Sequence, residues 1–386
     1  MKHGNINWVV VYFMTLILFG CRKNEDKTYP IGIDPPATEV VPCPDRPIIN
    51  ATLVPVGSLY LERSEIKSAT AGNKILFVGG SNANSNSHPS LVVDIYDFVS
   101  NTWTTKKLEE NSRDGITVTA SRDKIFMAGG GDFTSNTFTS RVDIYDAYSD
   151  SWSVARLSTP RANLAAGSAG NKVVFAGGQG YDDWGYPWDY AVDIYDIPTD
   201  TWTTARLSAG RSKISATTVD NKIYFAGGQT DLTFFDNIDI YDVSTNSWDT
   251  SYLAARKGRV SSIAAGDKIY WAGGIWLDTK AAIVGADKVE IRDVSTGISS
   301  LECFLPSYDF ASVKKDDNLV FFTGNITGDA HTYFEIFNTN TQQWSTGRLN
   351  YKITGAGVIC ANNTIYIAGG NDGAGNHYKQ VWKLEF

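Results

Sequence analysis

A pair of glycines closing a short apolar run returns down this chain at Gly79-Gly80, Gly129-Gly130, Gly177-Gly178, Gly227-Gly228, Gly273-Gly274 and Gly369-Gly370, with a weakened copy at Thr323-Gly324. The copies stand 46 to 50 residues apart. A repeat of that period is one supersecondary unit, whose apolar faces are covered only when its neighbours stack against it. The chain is therefore read as a ring or row of small sheets.

Within each unit an apolar stretch reaches a two-residue turn and then the glycine-terminated run. The turn pairs are Gly72-Asn73, Arg122-Asp123, Gly170-Asn171, Asp220-Asn221, Gly266-Asp267, Asp316-Asp317 and Asn362-Asn363. Glycine, asparagine and aspartate tolerate the positive φ of tight hairpins, so the first two strands of each unit form an antiparallel pair. The second strands, such as Lys74–Val78 and Lys172–Ala176, are almost continuously apolar, which requires cover on both faces. Third strands carry Val93-Asp-Ile-Tyr96, Val142-Asp-Ile-Tyr145, Val192-Asp-Ile-Tyr195 and Ile238-Asp-Ile-Tyr241, with carboxylates that read as structural. Fourth strands are marked by Trp103, Trp152, Trp202, Trp248 and Trp344, rings large enough to fill the wide outer gap between sheets.

Unit five departs from the pattern. Arg292 replaces the tyrosine, and the turn ends in Gly297-Ile298-Ser299 with no tryptophan, so a looser outer edge is expected. The last unit stops at Phe386 before any fourth strand. Alignment of the units places Leu53-Val54-Pro55-Val56 at the missing position, so an N-terminal strand is expected to complete the last blade. The fold expected is all-β: a seven-bladed propeller of four-stranded antiparallel blades over residues 51–386.

The Gly-Gly, tyrosine and spaced tryptophan resemble the kelch repeat, over essentially the whole globular part. That resemblance implies a β-propeller but no single activity, since kelch propellers include copper-radical oxidases, sialic-acid mutarotases and peptide-recognition modules. The oxidase chemistry would need a cysteine-crosslinked tyrosine beside histidines. Cys43, Cys303 and Cys360 do not fall in loops suited to it, so neither a cofactor nor a metal is expected. Their disulfide pairing stays open. No Gly-x-Ser-x-Gly, His-Glu-x-x-His, Walker or Cys-x-x-Cys pattern occurs.

Loops joining strands two and three share one face with those joining four to the next strand one, and that face is the expected binding surface. The loop from Gln179 to Tyr190 holds Tyr181, Asp183, Trp184 and Trp188, and Trp276 lies in the corresponding loop of unit five. Flat rings beside carboxylates suit a sugar, equally suit a protein partner, or cover the blade's own top. Arg63, Arg113, Arg161 and Arg211 occupy equivalent positions in four units, followed by Lys257. They are expected around the channel mouth, as anion ligands or as bonds to loop carbonyls. The resemblance to mutarotases would make those arginines clamps for the carboxylate of an acidic sugar such as sialic acid, the alternative to a non-catalytic binding module. His88, His331 and His377 share a loop position and read as exposed side chains.

Lys2 and His3 precede an apolar run from Trp8 to Gly20, short against the roughly 20 residues that span a bilayer. Leu18-Phe19-Gly20-Cys21 resembles the bacterial lipobox, which implies a signal peptide over residues 1–20, lipidation of Cys21, and anchorage to the outer membrane of a cell envelope on its periplasmic or surface side. Residues 21–50, charged and then rich in proline, read as a tether. A formal net charge of −8 without a basic run argues against nucleic-acid binding.

Overall fold

A computed structural model describes Cys43 and residues 46–82, 91–108, 113–180, 188–231, 233–277, 283–307, 310–323 and 331–386. The expected signal peptide, Cys21 and most of the tether lie outside these residues. Seven antiparallel sheets follow one another, and their innermost strands contact each other in a closed circle. Blade one is Lys67–Ala71, Lys74–Val78, Val92–Asp97 and Thr102–Lys107, and blades two to four repeat it with the same lengths and register.

The second strands are buried on both faces, as their sequences require: Ile75, Leu76, Phe77 and Val78 are wholly inaccessible to solvent. Each hairpin turn places its first residue at positive φ, including Arg122 at 55° where no glycine or asparagine is available. Along the outer seam Tyr96 lies directly across the ladder from Trp103 with ring centroids 4.6 Å apart, and the equivalent pairs in blades two to four stand at 4.9 to 5.0 Å.

Blade seven is closed as expected. Thr52–Ser58 runs antiparallel to Gln380–Glu385, placing Leu53 opposite Leu384. The chain ahead of it is also docked. Ile48–Asn50 adds a parallel fifth strand outside Gln343–Leu349 of blade six, and a disulfide joins Cys43 to Cys303 on the outer strand of blade five. The compact body therefore takes in Cys43 and residues 46–50, ahead of the boundary expected at residue 51.

Innermost strands are linked around the ring by hydroxyls. Ser68 donates to the carbonyl of Val358 (2.9 Å), Ser168 to Ala120 (2.8 Å), Thr218 to Ser168 (2.9 Å) and Ser312 to Ser262 (3.1 Å), each reaching a neighbouring blade. Serine and threonine here satisfy carbonyls that face the channel, where no further strand can pair with them.

Candidate functional site at the centre of the ring

The four equivalent arginines are inside the blades. Arg63, Arg113, Arg161 and Arg211 are all 0% exposed. Each donates from Nε to the carbonyl of the first glycine of its own blade, at 2.7 to 2.9 Å. Each also donates from Nη2 to a second-strand carbonyl, that of Phe77, Met127, Phe175 or Phe225, and ion-pairs with Asp94, Asp143, Asp193 or Asp239. Burial pulls Arg63 and Arg211 below the ordinary arginine range while Asp94 and Asp239 pull them back up.

The acid of each pair continues the clasp outward. Asp94, Asp193 and Asp239 accept from the backbone N–H of Tyr60, Ser158 and Ser208 at 2.9 to 3.1 Å, fixing the loop that enters the blade. The arginine's own carbonyl joins blades: Arg161 accepts from Gly130, Arg211 from Gly178, and Arg63 from Gly370, which links the last blade to the first. A β-carbon on Gly129 would stand 2.2 Å from the Arg161 carbonyl oxygen, which is why glycine is needed there. Directed into these bonds, the guanidiniums do not line the channel.

The remaining blades vary the pair as a unit. Blade five has Lys257 and Glu290, both buried, with burial pulling Lys257 down and Glu290 opposing. Blade seven has two apolar residues, Ile353 and Trp382, at the corresponding positions. Blade six keeps the acid, Glu335, but its cation position falls at Ser307. The missing charge comes from the N-terminal arm, where Arg46 ion-pairs with Glu335 and lies 4.4 Å over the Trp344 ring.

What faces the channel lies two residues further on. Glu65, Gly115, Asn163, Lys213, Arg259 and Gly355 all have φ between 51° and 70° and ring the mouth of a central cavity of about 640 Å³. Their backbones form a chain around the rim: Asn163 donates to Gly115 (2.8 Å), Lys213 to Asn163 (3.0 Å) and Arg259 to Lys213 (3.3 Å). Each left-handed residue stands two positions ahead of an inner strand, and Asn163 donates from its side-chain amide to Gln179 at 3.0 Å. In a seven-membered circle the acid of blade one stands across from the gap between blades four and five, which carry Lys213 and Arg259. Below the rim the walls carry Ser68, Thr117, Ser215, Ser261 and Ser312, and apolar Leu349, Ile353 and Ile367 on the side of blades six and seven.

Sequence reasoning missed this rim. The available signal was the variable residue two places after each arginine, masked by the regularity of the arginine itself. Of the aromatic loop, Tyr181, Asp183 and Trp184 lie outside the described residues. Trp188 is half-buried and bridges Gln179, while the exposed Tyr190 packs under Arg206, whose Cζ is 5.0 Å from its centroid. Trp276, half-buried, pairs with Val284 in a short hairpin above blade five. His88 lies outside the described residues, and among those described no cluster of metal-ligating side chains occurs.

A model of the kelch motif matches residues 112–156 and 210–250, which are blades two and four with their leading loops. No curated protein matches the sequence. The solved structure of YjhT superposes with a TM-score of 0.56 at 13% identity, covering 75% of this chain and 98% of that one, a likeness of fold. With seven four-stranded sheets in a closed ring, and the kelch motif matched in two of them, the chain is a seven-bladed β-propeller that carries kelch repeats.

Proposed function

We propose that this propeller is a non-catalytic binding module of the cell envelope, tethered through an acylated Cys21, and that it takes a glycan at the mouth of its central cavity. One observation carries the reading: a cavity of about 640 Å³ whose rim mixes an acid, an amide and two cations over hydroxyl-bearing walls. That volume is within the usual range for small-ligand sites, roughly 300–1,000 Å³. Hydroxyls that already donate to carbonyls of neighbouring blades keep lone pairs free to accept from sugar hydroxyls. The arginine–aspartate pairs hold the scaffold and leave recognition to the rim. Carboxylate clamping by Arg63, Arg113, Arg161 and Arg211 would require breaking four buried ion pairs, which weighs against the mutarotase alternative.

The test is a thermal-shift screen of the purified protein against neutral and acidic sugars, since a ligand that prefers the folded state raises Tm. A hit should be weakened by Asn163→Ala and by Glu65→Ala. A panel with no hit, or hits indifferent to both substitutions, rejects the site. Incorporation of a labelled fatty acid, abolished by Cys21→Ala, tests the anchor separately.

A further inference from the structure

Blade five breaks the outer-seam pattern at three positions that meet in space. In blades one to four the tyrosine stacks on the tryptophan opposite, and its hydroxyl donates to Asn101, Asp150, Asp200 or Asn246 at 2.6 to 2.9 Å. In blade five the tyrosine position is Arg292, its partner across the ladder is Ser299, and the acceptor position is Gly297. Two rings and one acceptor are gone, and a guanidinium has entered. The outcome is a cleft of about 380 Å³ between blades four and five, bordered by Lys222, Tyr224, Asp242, Ser251, Arg292 and Gly297.

Arg292 is half-buried there and donates from Nη1 to the Ser251 hydroxyl at 2.9 Å. Its Nε is buried and meets no acceptor. Among the described residues no carboxylate lies within 4.0 Å of it, whereas each of the four fully buried blade arginines holds an aspartate. Asp242, on the cleft's edge, faces Lys222 at 4.0 Å. Behind the guanidinium lies the Trp271 ring, wholly buried, with its centroid 6.0 Å from Cζ. A half-buried cation without a counter-ion carries a desolvation cost that an incoming anion relieves.

We propose that this seam is a second ligand site, taking the carboxylate of a small organic acid against Arg292. A planar guanidinium with free donors matches a carboxylate in two-point contact. Asp242 and Asp249 line the same cleft and repel a multiply charged anion, which selects a monocarboxylate over phosphate. The site is separate from the central cavity and does not depend on the reading of its rim.

Calorimetric titration of the full chain with benzoate, and in parallel with inorganic phosphate, tests it. Benzoate should bind, phosphate should bind more weakly, and Arg292→Gln should lower benzoate affinity about tenfold or more, the size of one lost charge-assisted contact. Arg292→Tyr combined with Gly297→Asn and Ser299→Trp rebuilds the seam of blades one to four, so that variant should fold, melt no lower than wild type and fail to bind. Glu65→Ala at the central rim should leave benzoate affinity unchanged. Absence of benzoate binding to wild type, retention by the refilled variant, or phosphate binding as tightly as benzoate overturns the proposal.

Discussion

Arg46 ion-pairs with the carboxylate of Glu335 across 289 positions of sequence, supplying to blade six the cation that its own first strand lacks. Glu335 is 0% exposed; burial pushes its carboxyl up, and Arg46 is the charge that pulls it back down. Removing one member of a buried pair leaves an uncompensated charge, so Arg46→Ala should cost about 3–5 kcal/mol in denaturant unfolding at neutral pH. A carboxyl whose folded pKa lies above its unfolded one binds more protons when folded, so acid stabilises the folded state relative to the unfolded. The deficit of Arg46→Ala should therefore shrink as pH is lowered toward about 5. A deficit that grows on acidification contradicts the assignment.

The Cys43–Cys303 disulfide holds the arm that carries Arg46. It closes a loop of 260 residues, for which chain-entropy arguments give the upper part of the usual range of about 2–5 kcal/mol. Cys43→Ser/Cys303→Ser should lower Tm. Combining it with Arg46→Ala should cost less than the two losses added, because both substitutions release the same segment. Full additivity would show that the arm is held at two independent points.

Within the regular blades, Arg161 and Asp193 are a closed unit. Arg161→Met or Asp193→Leu alone should each cost about 3–5 kcal/mol by stranding the other partner. The double substitution should cost markedly less than either, because blade seven accommodates Ile353 and Trp382 at the same two positions. Denaturation midpoints of the three variants decide this. A double variant worse than both singles would mean that the pair's bonds to loop N–H groups and carbonyls outweigh its charge.

Much of the ring was legible because period, glycine pairs and turn residues are local signals repeated seven times. Thr52–Ser58 was legible because blade seven otherwise had an open edge. The Arg46 arm was not, since nothing in a proline-rich stretch marks one arginine as the counterpart of an acid 289 residues away. The arginines were recognised as a set and expected at the mouth, whereas their side chains turn back into the blade. A repeated cation matched by a repeated acid is the signature of an internal pair, and reading Lys257 with Glu290 and Ile353 with Trp382 would have exposed it. The rim was hidden for the opposite reason: its residues differ from blade to blade, as a surface free of packing constraint allows.

Acid should expose the hairpin clamps at the base of the blades. The Lys124 ammonium and the Ser149 N–H hold Asp146 at about 2, below the 3.8 of a free aspartate. A carboxyl depressed in the folded state lends stability that is present above the unfolded pKa and lost as pH falls through the folded one. Stability should therefore decline between about pH 4 and pH 2. Lys124→Met should flatten part of that decline in a pH series of thermal melts. An unchanged slope would assign the acid sensitivity elsewhere.

Closure of the ring passes through Gly57, where a β-carbon would stand 2.6 Å from Nε1 of Trp103 in blade one. Trp103 is stacked on Tyr96 at 4.6 Å and cannot swing aside without opening the outer seam. Gly57→Ala should therefore destabilise the protein by about 1–3 kcal/mol, the usual cost of overpacking. It should do so by loosening Thr52–Ser58 from Gln380–Glu385, baring the edge of blade seven to intermolecular pairing. Light scattering during thermal unfolding should show earlier association than in wild type. Placed on a Trp103→Leu background, the same substitution should cost almost nothing more, because the ring it strikes is gone. An equal cost on both backgrounds would show that Gly57 is required for its backbone and not for the space it leaves.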